Sequence, residues 1–228
     1  MTLQHLDMLF KLIAFLFAIS VHESAHAWMA NRLGDPTARM LGRVSLNPIK
    51  HIDLFGTILL PALALLNPRI PMLGWAKPTP VNPRNFKNLV MDDILTSVAG
   101  PVSNFIVASC ALIVLALLEV TSALGKGIIF AIQSGMTEIT TTSALLPVCL
   151  LLFELMTINV FLGVFNLIPI PPLDGSHVIR HFLPAGALKV YDMIGIFGLL
   201  ALIYLAPGAL SGLIYPVLGI FNFILARI

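Results

Sequence analysis

The chain has 228 residues, of which 58% are hydrophobic and only 11% are charged. Soluble domains typically carry about 25% charged residues, so this composition excludes an ordinary water-soluble globule and predicts a polytopic membrane protein. The formal net charge of +2 is too small and too scattered to indicate a nucleic-acid partner, so we expect none.

Five apolar segments approach or exceed the roughly 20 residues that an α-helix needs to cross a bilayer. They lie at 8–30, 94–120, 144–168, 190–206 and 209–225. The sequence therefore predicts an all-α membrane domain over 1–228, with a core of three spans (roughly 8–180) and two C-terminal spans (190–225). Cys110 and Cys149 lie inside apolar runs, which favours neither a disulfide nor a cysteine-rich zinc site.

The first span carries His22-Glu23-Ser24-Ala25-His26. Residues four apart project from one face of a helix, so two imidazoles can point at one metal ion. Glu23 lies about 100° round the helix from His22 and can reach a water beside that metal as a general base. On a soluble helix this pattern is often a solvated face. Here the apolar flank 9–19 carries one charge, and ionisable groups at membrane depth are usually functional.

A shorter apolar stretch, 55–66, lies between the first two predicted spans. Basic residues precede and follow it: Arg32, Arg39, Arg43 and Lys50, then Arg69, Lys77, Arg84 and Lys87. By the positive-inside rule both flanks are cytoplasmic, which predicts a re-entrant or shallow element, with a plain short span as the alternative. The same rule predicts that the active site opens toward the cytoplasm, and the expected location is the cell (plasma or inner) membrane.

A catalytic zinc site generally has three protein ligands, so a third must come from elsewhere in the chain. Asp174 follows the third predicted span, after prolines at 169, 171 and 172 that prevent a regular helix. Two full crossings separate it from His26, so both lie on the same side of the membrane. Asp174 is therefore the candidate third ligand, and a turn-forming Asp-Gly pair is the alternative.

These motifs together resemble the site-2 protease family of intramembrane zinc metalloproteases. The chain has the H-E-x-x-H helix, Asn166 through Asp174-Gly175, Ala99-Gly100-Pro101-Val102-Ser103-Asn104, and Gly74-Trp75-Ala76-Lys77-Pro78, in that family's arrangement. The resemblance covers roughly 8–180. It implies a compact member, with no room for a PDZ domain or a C-terminal regulatory domain.

The resemblance implies that one Zn²⁺ per chain is bound by His22, His26 and Asp174, and that Glu23 activates the water. It also implies that Asn166 and Asn104 lie near the scissile peptide, where amide N–H groups can stabilise an oxyanion. The alternative for each asparagine is a polar contact between helices.

Members of that family hold an extended substrate segment against a membrane-associated β element. Residues 43–46 and 78–81 are the candidate short strands here, and pairing with them would unwind a substrate helix. The predicted fold therefore includes a small β or re-entrant element between spans one and two.

Three further features have no assigned site role. His177 and His181 are spaced four apart, but no carboxylate lies between them and Pro184 follows soon after. Glu154 lies near the middle of the third span, either in a water path to the metal or as a protonated carboxyl bonded to a neighbouring helix. Lys11 and Glu119 are expected to pair.

The sequence thus predicts a zinc metalloendopeptidase that hydrolyses peptide bonds in or near transmembrane segments, in regulated intramembrane proteolysis. Its expected partners are a transmembrane protein substrate and the lipid bilayer, and its oligomeric state is not predicted. The alternatives are a transmembrane metal-ion transporter and an inactive adaptor that binds membrane segments.

Overall fold

The computed structural model describes residues 3–60, 63, 74–136 and 143–228. The α-helices within these ranges are Leu3–Arg32 (α1), Thr37–Met40 (α2), Leu89–Thr121 (α3), Ala123–Gln133 (α4), Leu145–Asn166 (α5), Asp174–Arg180 (α6), Ala185–Leu205 (α7) and Pro207–Leu225 (α8). Short 3-10 helices span Pro48–Lys50 and Pro83–Asn85, and a π-helix spans Leu54–Leu59.

Five of these helices, α1, α3, α5, α7 and α8, are long and apolar enough to cross a membrane. Their positions match the five apolar segments of the sequence, because uninterrupted apolar runs in a bilayer must bond their own backbone groups and so become helical. The predicted all-α polytopic fold is confirmed.

The core of the molecule is a bundle in which α1, α3 and α5 all pack on one another. At the end where α3 ends and α5 begins, α4 and the end of α8 close the bundle around Leu115, Ile129 and Leu225. Helix α7 contributes no buried residue and is broken at Gly195, whose φ is 43°. The opposite end, where α1 ends and α3 begins, holds the site described below.

The ion pair predicted between Lys11 and Glu119 is wrong. Lys11 instead contacts Asp7, one turn away on its own helix, with Nζ 2.6 Å from Oδ2. Glu119 Oε1 lies 3.9 Å from Lys126 Nζ, because α4 turns back beside the end of α3. In each case a partner close in sequence replaces one on another span.

The predicted β element is not confirmed: the described residues contain no strand, and both 43–46 and 78–81 have irregular backbone. Prolines at 78 and 80 remove two of the N–H donors that a strand ladder needs. The region is held by side chains instead. Asp35 accepts hydrogen bonds from Asn82 N and Asn85 Nδ2, both at 2.7 Å, which ties the 82–85 segment to the end of α1.

The stretch 55–66 is helical over its described first part. Its flanks lie side by side, since Trp75 N donates to Gly56 O at 3.3 Å and Lys77 N donates to His51 O at 2.9 Å. The chain therefore leaves this element close to where it enters. Residues 61, 62 and 64–73 lie outside the described residues, so the choice between a re-entrant element and a short span stays a prediction.

Candidate metal centre

Two histidines of α1 face each other one helical turn apart. The Nε2 atoms of His22 and His26 are 3.0 Å apart, and both residues are buried. The spacing of four residues produces this juxtaposition, because it returns the side chains to the same face of the helix.

The other ring nitrogen of each histidine is held by α3. His22 Nδ1 donates to Asn104 Oδ1 at 2.6 Å, and His26 Nδ1 donates to the Thr96 carbonyl at 2.7 Å. The Asn104 amide orientation is fixed because its Nδ2 donates to Asn159 Oδ1 at 2.8 Å. In a neutral imidazole, a proton on Nδ1 leaves a lone pair on Nε2, so these two contacts favour the tautomer that binds a metal through Nε2.

Asp174, the first residue of α6, brings a carboxylate to the same place. Its Oδ2 lies 3.0 Å from His22 Nε2 and 3.4 Å from His26 Nε2, and this buried oxygen has no hydrogen-bond partner. Burial alone would raise the pKa of the Asp174 carboxyl, but interactions with His26 and His22 outweigh burial and hold that pKa below its ordinary value.

Gly100 of α3 gives the two imidazoles their space. A Cβ atom at this position would lie 2.4 Å from His26 Nε2 and 2.7 Å from His22 Cε1. Any larger residue at position 100 would push the rings away from each other, so the close approach of α1 to α3 depends on this glycine.

The three side chains fit a metal cation. Three acceptor atoms this close repel one another unless a positive charge, a proton or a metal, lies among them. Two imidazoles and a carboxylate suit a catalytic zinc site, in which bonds of about 2.0–2.1 Å place tetrahedral ligands about 3.3 Å apart. Within the described ranges, His22, His26 and Asp174 are the one group of three such residues with ligand atoms within 4.8 Å of one another.

Glu23 contacts a segment that the sequence does not connect with it. Its Oε2 accepts a hydrogen bond from Thr79 N at 2.8 Å, and the Thr79 hydroxyl donates to the Glu23 carbonyl at 3.0 Å. Two bonds to one residue fix both the carboxylate and the backbone of Glu23. The irregular segment around Thr79 therefore lies directly beside the predicted general base.

The two asparagines predicted near the scissile peptide occupy different positions. Asn104 is fully buried behind His22, and its Nδ2 donates to Ala18 O at 3.3 Å in addition to Asn159. Both of its N–H groups are thus used within the protein. Asn166 lies at the end of α5, where its Nδ2 donates to Leu162 O at 3.1 Å. The role of each asparagine beside a substrate stays a prediction.

Sequence reasoning missed Thr96, Asn159 and Thr79. Asn159 had a usable signal, because an amide in an apolar span must find a polar partner. Thr96 acts through its backbone carbonyl, which every residue possesses, so no pattern marks it. The role of Thr79 is visible only in the folded chain, where the segment that contains it returns to α1 and bonds to Glu23.

Residues 10–205 match the family model described as Peptidase family M50. The chain belongs to Peptidase family M50, the site-2 protease family. It is 34% identical over 212 residues to a Bacillus subtilis (strain 168) protein named "Putative zinc metalloprotease YwhC". That alignment covers 92% of this chain and 86% of the relative. No solved structure matches the chain.

Membership of Peptidase family M50, with five apolar helices, makes this chain an integral membrane metalloprotease whose cofactor is zinc. The resemblance seen in the sequence motifs is confirmed. A family of peptidases also favours hydrolysis over the transport of metal ions.

Proposed function

We propose that this M50 peptidase binds one zinc ion through His22, His26 and Asp174 and cleaves substrates within or beside their transmembrane segments. The observation that carries the proposal is the convergence of three acceptor atoms, including the buried, unpartnered Asp174 Oδ2. In an apolar molecule, such a set of polar atoms is costly unless a cation satisfies it.

Zinc held by His22, His26 and Asp174 would supply Lewis acidity, so that a water beside it could lose its proton near neutral pH. Glu23 lies next to His22 and takes that proton, then delivers it to the leaving amine. Thr79 holds the Glu23 carboxylate in place during this transfer. Asn166 lies at the end of α5 and is the proposed contact for the substrate peptide.

The substrate class follows from the surroundings of the site. Two of the proposed ligands, His22 and His26, lie on α1, which is long and apolar enough to cross the membrane, so a peptide bond must come to them at or below the membrane surface. A helix hides its carbonyls in its own hydrogen bonds, so the substrate segment must be unwound locally before attack. We therefore propose a transmembrane protein as substrate, as in regulated intramembrane proteolysis.

The proposed orientation follows from the charges of the chain. Basic residues cluster in 32–50 and 77–87, on the side where α1 ends and α3 begins. By the positive-inside rule this end faces the cytoplasm, and the site opens toward it from the cell membrane.

The reaction is tested with the purified full chain in liposomes. The substrate is a single-span protein with a Gly-Pro pair in its helix. Glu23→Gln is expected to lose at least 100-fold in cleavage rate and to keep its zinc, because it removes the base and no ligand. Asp174→Asn is expected to lose both cleavage and tight zinc binding.

The proposal is overturned if Glu23→Gln cleaves as fast as the wild type, or if Asp174→Asn keeps wild-type zinc affinity. It also fails in its substrate class if the detached extramembrane part of the substrate is cut equally fast. Movement of zinc across the liposome membrane without cleavage would restore the transporter alternative.

Orientation is tested separately with single-cysteine variants in a background that lacks Cys110 and Cys149. A membrane-impermeant thiol reagent on intact cells should label Ser134→Cys and should not label Lys50→Cys. The opposite pattern would place the site on the external side.

A further inference from the structure

Helix α6 carries Asp174 at its first residue but spans only Asp174–Arg180. Helices this short are marginal by themselves, so contacts with the rest of the protein must fix its position. One contact is at Gly175, where a Cβ would lie 2.2 Å from Leu167 O. That contact seats α6 against the end of α5 but leaves its direction undefined.

A second contact joins α6 to α3 through Asp93. The Asp93 Oδ2 atom accepts a hydrogen bond from His181 Nε2 at 2.7 Å and lies 3.5 Å from His177 Nδ1. The Asp93 and His181 side chains are only 14% and 17% exposed, so water competes weakly for this bond. Hydrogen bonds in which one partner is charged are stronger than those between neutral groups.

Asp174, His177 and His181 are spaced three and four apart, which places them on one face formed by α6 and His181, the residue that follows it. Asp93 therefore anchors the same face that presents Asp174. A shift of α6 about this anchor would move the carboxylate relative to the two histidines of α1.

The anchor belongs to one stripe of α3. Asp93, Thr96, Gly100 and Asn104 are spaced three, four and four apart, so they share a face of that helix. Asn104 orients His22, the Thr96 carbonyl orients His26, and Gly100 makes room for both rings. Within this stripe, Asp93 is the residue that reaches the element carrying Asp174.

We infer that Asp93 is a positioning residue for Asp174, acting through His181 and His177, so that a single face of α3 arranges all three proposed zinc ligands. This inference rests on the proposed function, which makes Asp174 a ligand. It assigns Asp93 no contact with zinc or substrate.

The Asp93 cluster is not itself a compact metal site. Over the described residues, the ligand atoms of Asp93, His177 and His181 do not all converge within 4.8 Å, unlike those of the proposed zinc site. The 2.7 Å separation of His181 Nε2 and Asp93 Oδ2 is a hydrogen-bond distance. The geometry therefore favours an anchor over a second metal.

The test measures zinc affinity of the full chain in detergent by competition with a chromogenic chelator. Loss of a residue that orients a ligand typically weakens metal binding 10–100-fold, and this is the loss expected for Asp93→Asn. In activity measurements, kcat should fall while KM stays within twofold. The matched control is Asp192→Asn. Asp192 of α7 also pairs with a residue of α6, Arg180, but in an exposed contact at 3.4 Å. The control should stay within twofold of wild type.

A double-mutant cycle separates positioning from general stability. If Asp93 acts through Asp174, adding Asp93→Asn to Asp174→Asn should not weaken zinc binding further. A purely structural role would weaken it in both backgrounds. If Asp93→Asn does not fold, His181→Gln removes the same anchor from the other side and is tested in the same cycle.

The inference is overturned if Asp93→Asn binds zinc within twofold of wild type, or if its effect is undiminished in the Asp174→Asn background. It is also overturned if the wild type binds two zinc ions and Asp93→Asn binds one, which would make the cluster a metal site. If the single variant Asp174→Asn binds zinc as tightly as the wild type, the proposed function fails instead, because Asp174 is then not a ligand.

Discussion

His22 Nδ1 donates a hydrogen bond to Asn104 Oδ1 across 2.6 Å, although the two residues are 82 positions apart in the chain. This bond fixes the imidazole tautomer, because the Asn104 amide is itself oriented by Asn159. The Nε2 atom of His22 is therefore directed toward His26 and Asp174, at 3.0 Å from each. Hydrogen bonds from residues behind the proposed ligands therefore help to orient the imidazole rings of the site.

Replacing Asn104 tests this arrangement. Asn104→Leu removes the acceptor, so His22 is expected to rotate or change tautomer and zinc affinity to fall 10–100-fold. Asn104→Asp keeps an acceptor for the His22 N–H and should lose less. Both affinities are measured by chelator competition. Equal zinc binding by Asn104→Leu and wild type would show that this bond does not hold the ligand.

Gly100→Ala is expected to abolish tight zinc binding and cleavage. The added Cβ would lie 2.4 Å from His26 Nε2, so a ring must move or α1 and α3 must separate. The control is Gly127→Ala in α4, where a Cβ meets nothing within 4 Å. Alanine favours a helix over glycine by about 1 kcal/mol, so the control should be as stable as wild type or more so. Full activity in Gly100→Ala would mean that the helices are farther apart in the working enzyme.

Thr79 is expected to affect catalysis without affecting zinc. Thr79→Pro removes the N–H that donates to Glu23 Oε2, and the prolines at 78 and 80 already restrict this segment to extended backbone. A lost bond to a charged group of about 1.5–3 kcal/mol corresponds to a fall in kcat of roughly 10–150-fold. Thr79→Val keeps the N–H and removes only the hydroxyl, so it should fall less. Zinc content measured in parallel should be unchanged, and zinc loss would contradict this assignment.

Asp35 is expected to make stability depend on acid pH. Burial alone would raise the pKa of its carboxyl, but hydrogen bonds from Thr37, Asn82 and Asn85 outweigh burial and hold that pKa below its ordinary value. A carboxyl with a lowered folded-state pKa stabilises the protein above its unfolded pKa of about 3.9. That stabilisation is lost as pH falls through the folded-state value.

The measurement is thermal unfolding of the detergent-solubilised chain at pH 7 and at steps below pH 4. Asp35→Asn should unfold at a lower temperature than wild type at pH 7, by about 2–4 °C for each kcal/mol lost. The difference between the two proteins should shrink as the pH falls below 4. A difference that is constant with pH would show that the charge of Asp35 contributes nothing to stability.

The helices of the bundle were predictable because their causes are local. An apolar run of about 20 residues in a bilayer must satisfy its own backbone, so length and composition predict α1, α3 and α5. The pairing of His22 with His26 is equally local, since it follows from one turn of helix. The choice of Asp174 as candidate third ligand rested on its place after the third span and its prolines, on the number of crossings between it and His26, and on the family resemblance.

The β element and the pairing of Lys11 with Glu119 were not predictable in this way. A strand requires a partner at a defined distance, and the proline-rich 78–81 segment instead lies against α1 through Thr79. Lys11 had a nearer partner in Asp7, one turn away. Both outcomes depended on competition between contacts, which a sequence pattern does not rank.

The sequence by itself determined that this chain spans a membrane and that His22 and His26 share one face of a helix, because composition and spacing are local properties. It also indicated Asp174 as the candidate third ligand of the set. Only the tertiary structure decided what holds the set together: the stripe of α3 from Asp93 to Asn104, and Thr79 beside Glu23. These contacts join residues up to 88 positions apart, and some use backbone atoms common to every residue. Local periodicity therefore does not predict these contacts, because they form only when α3 packs against α1 and α6.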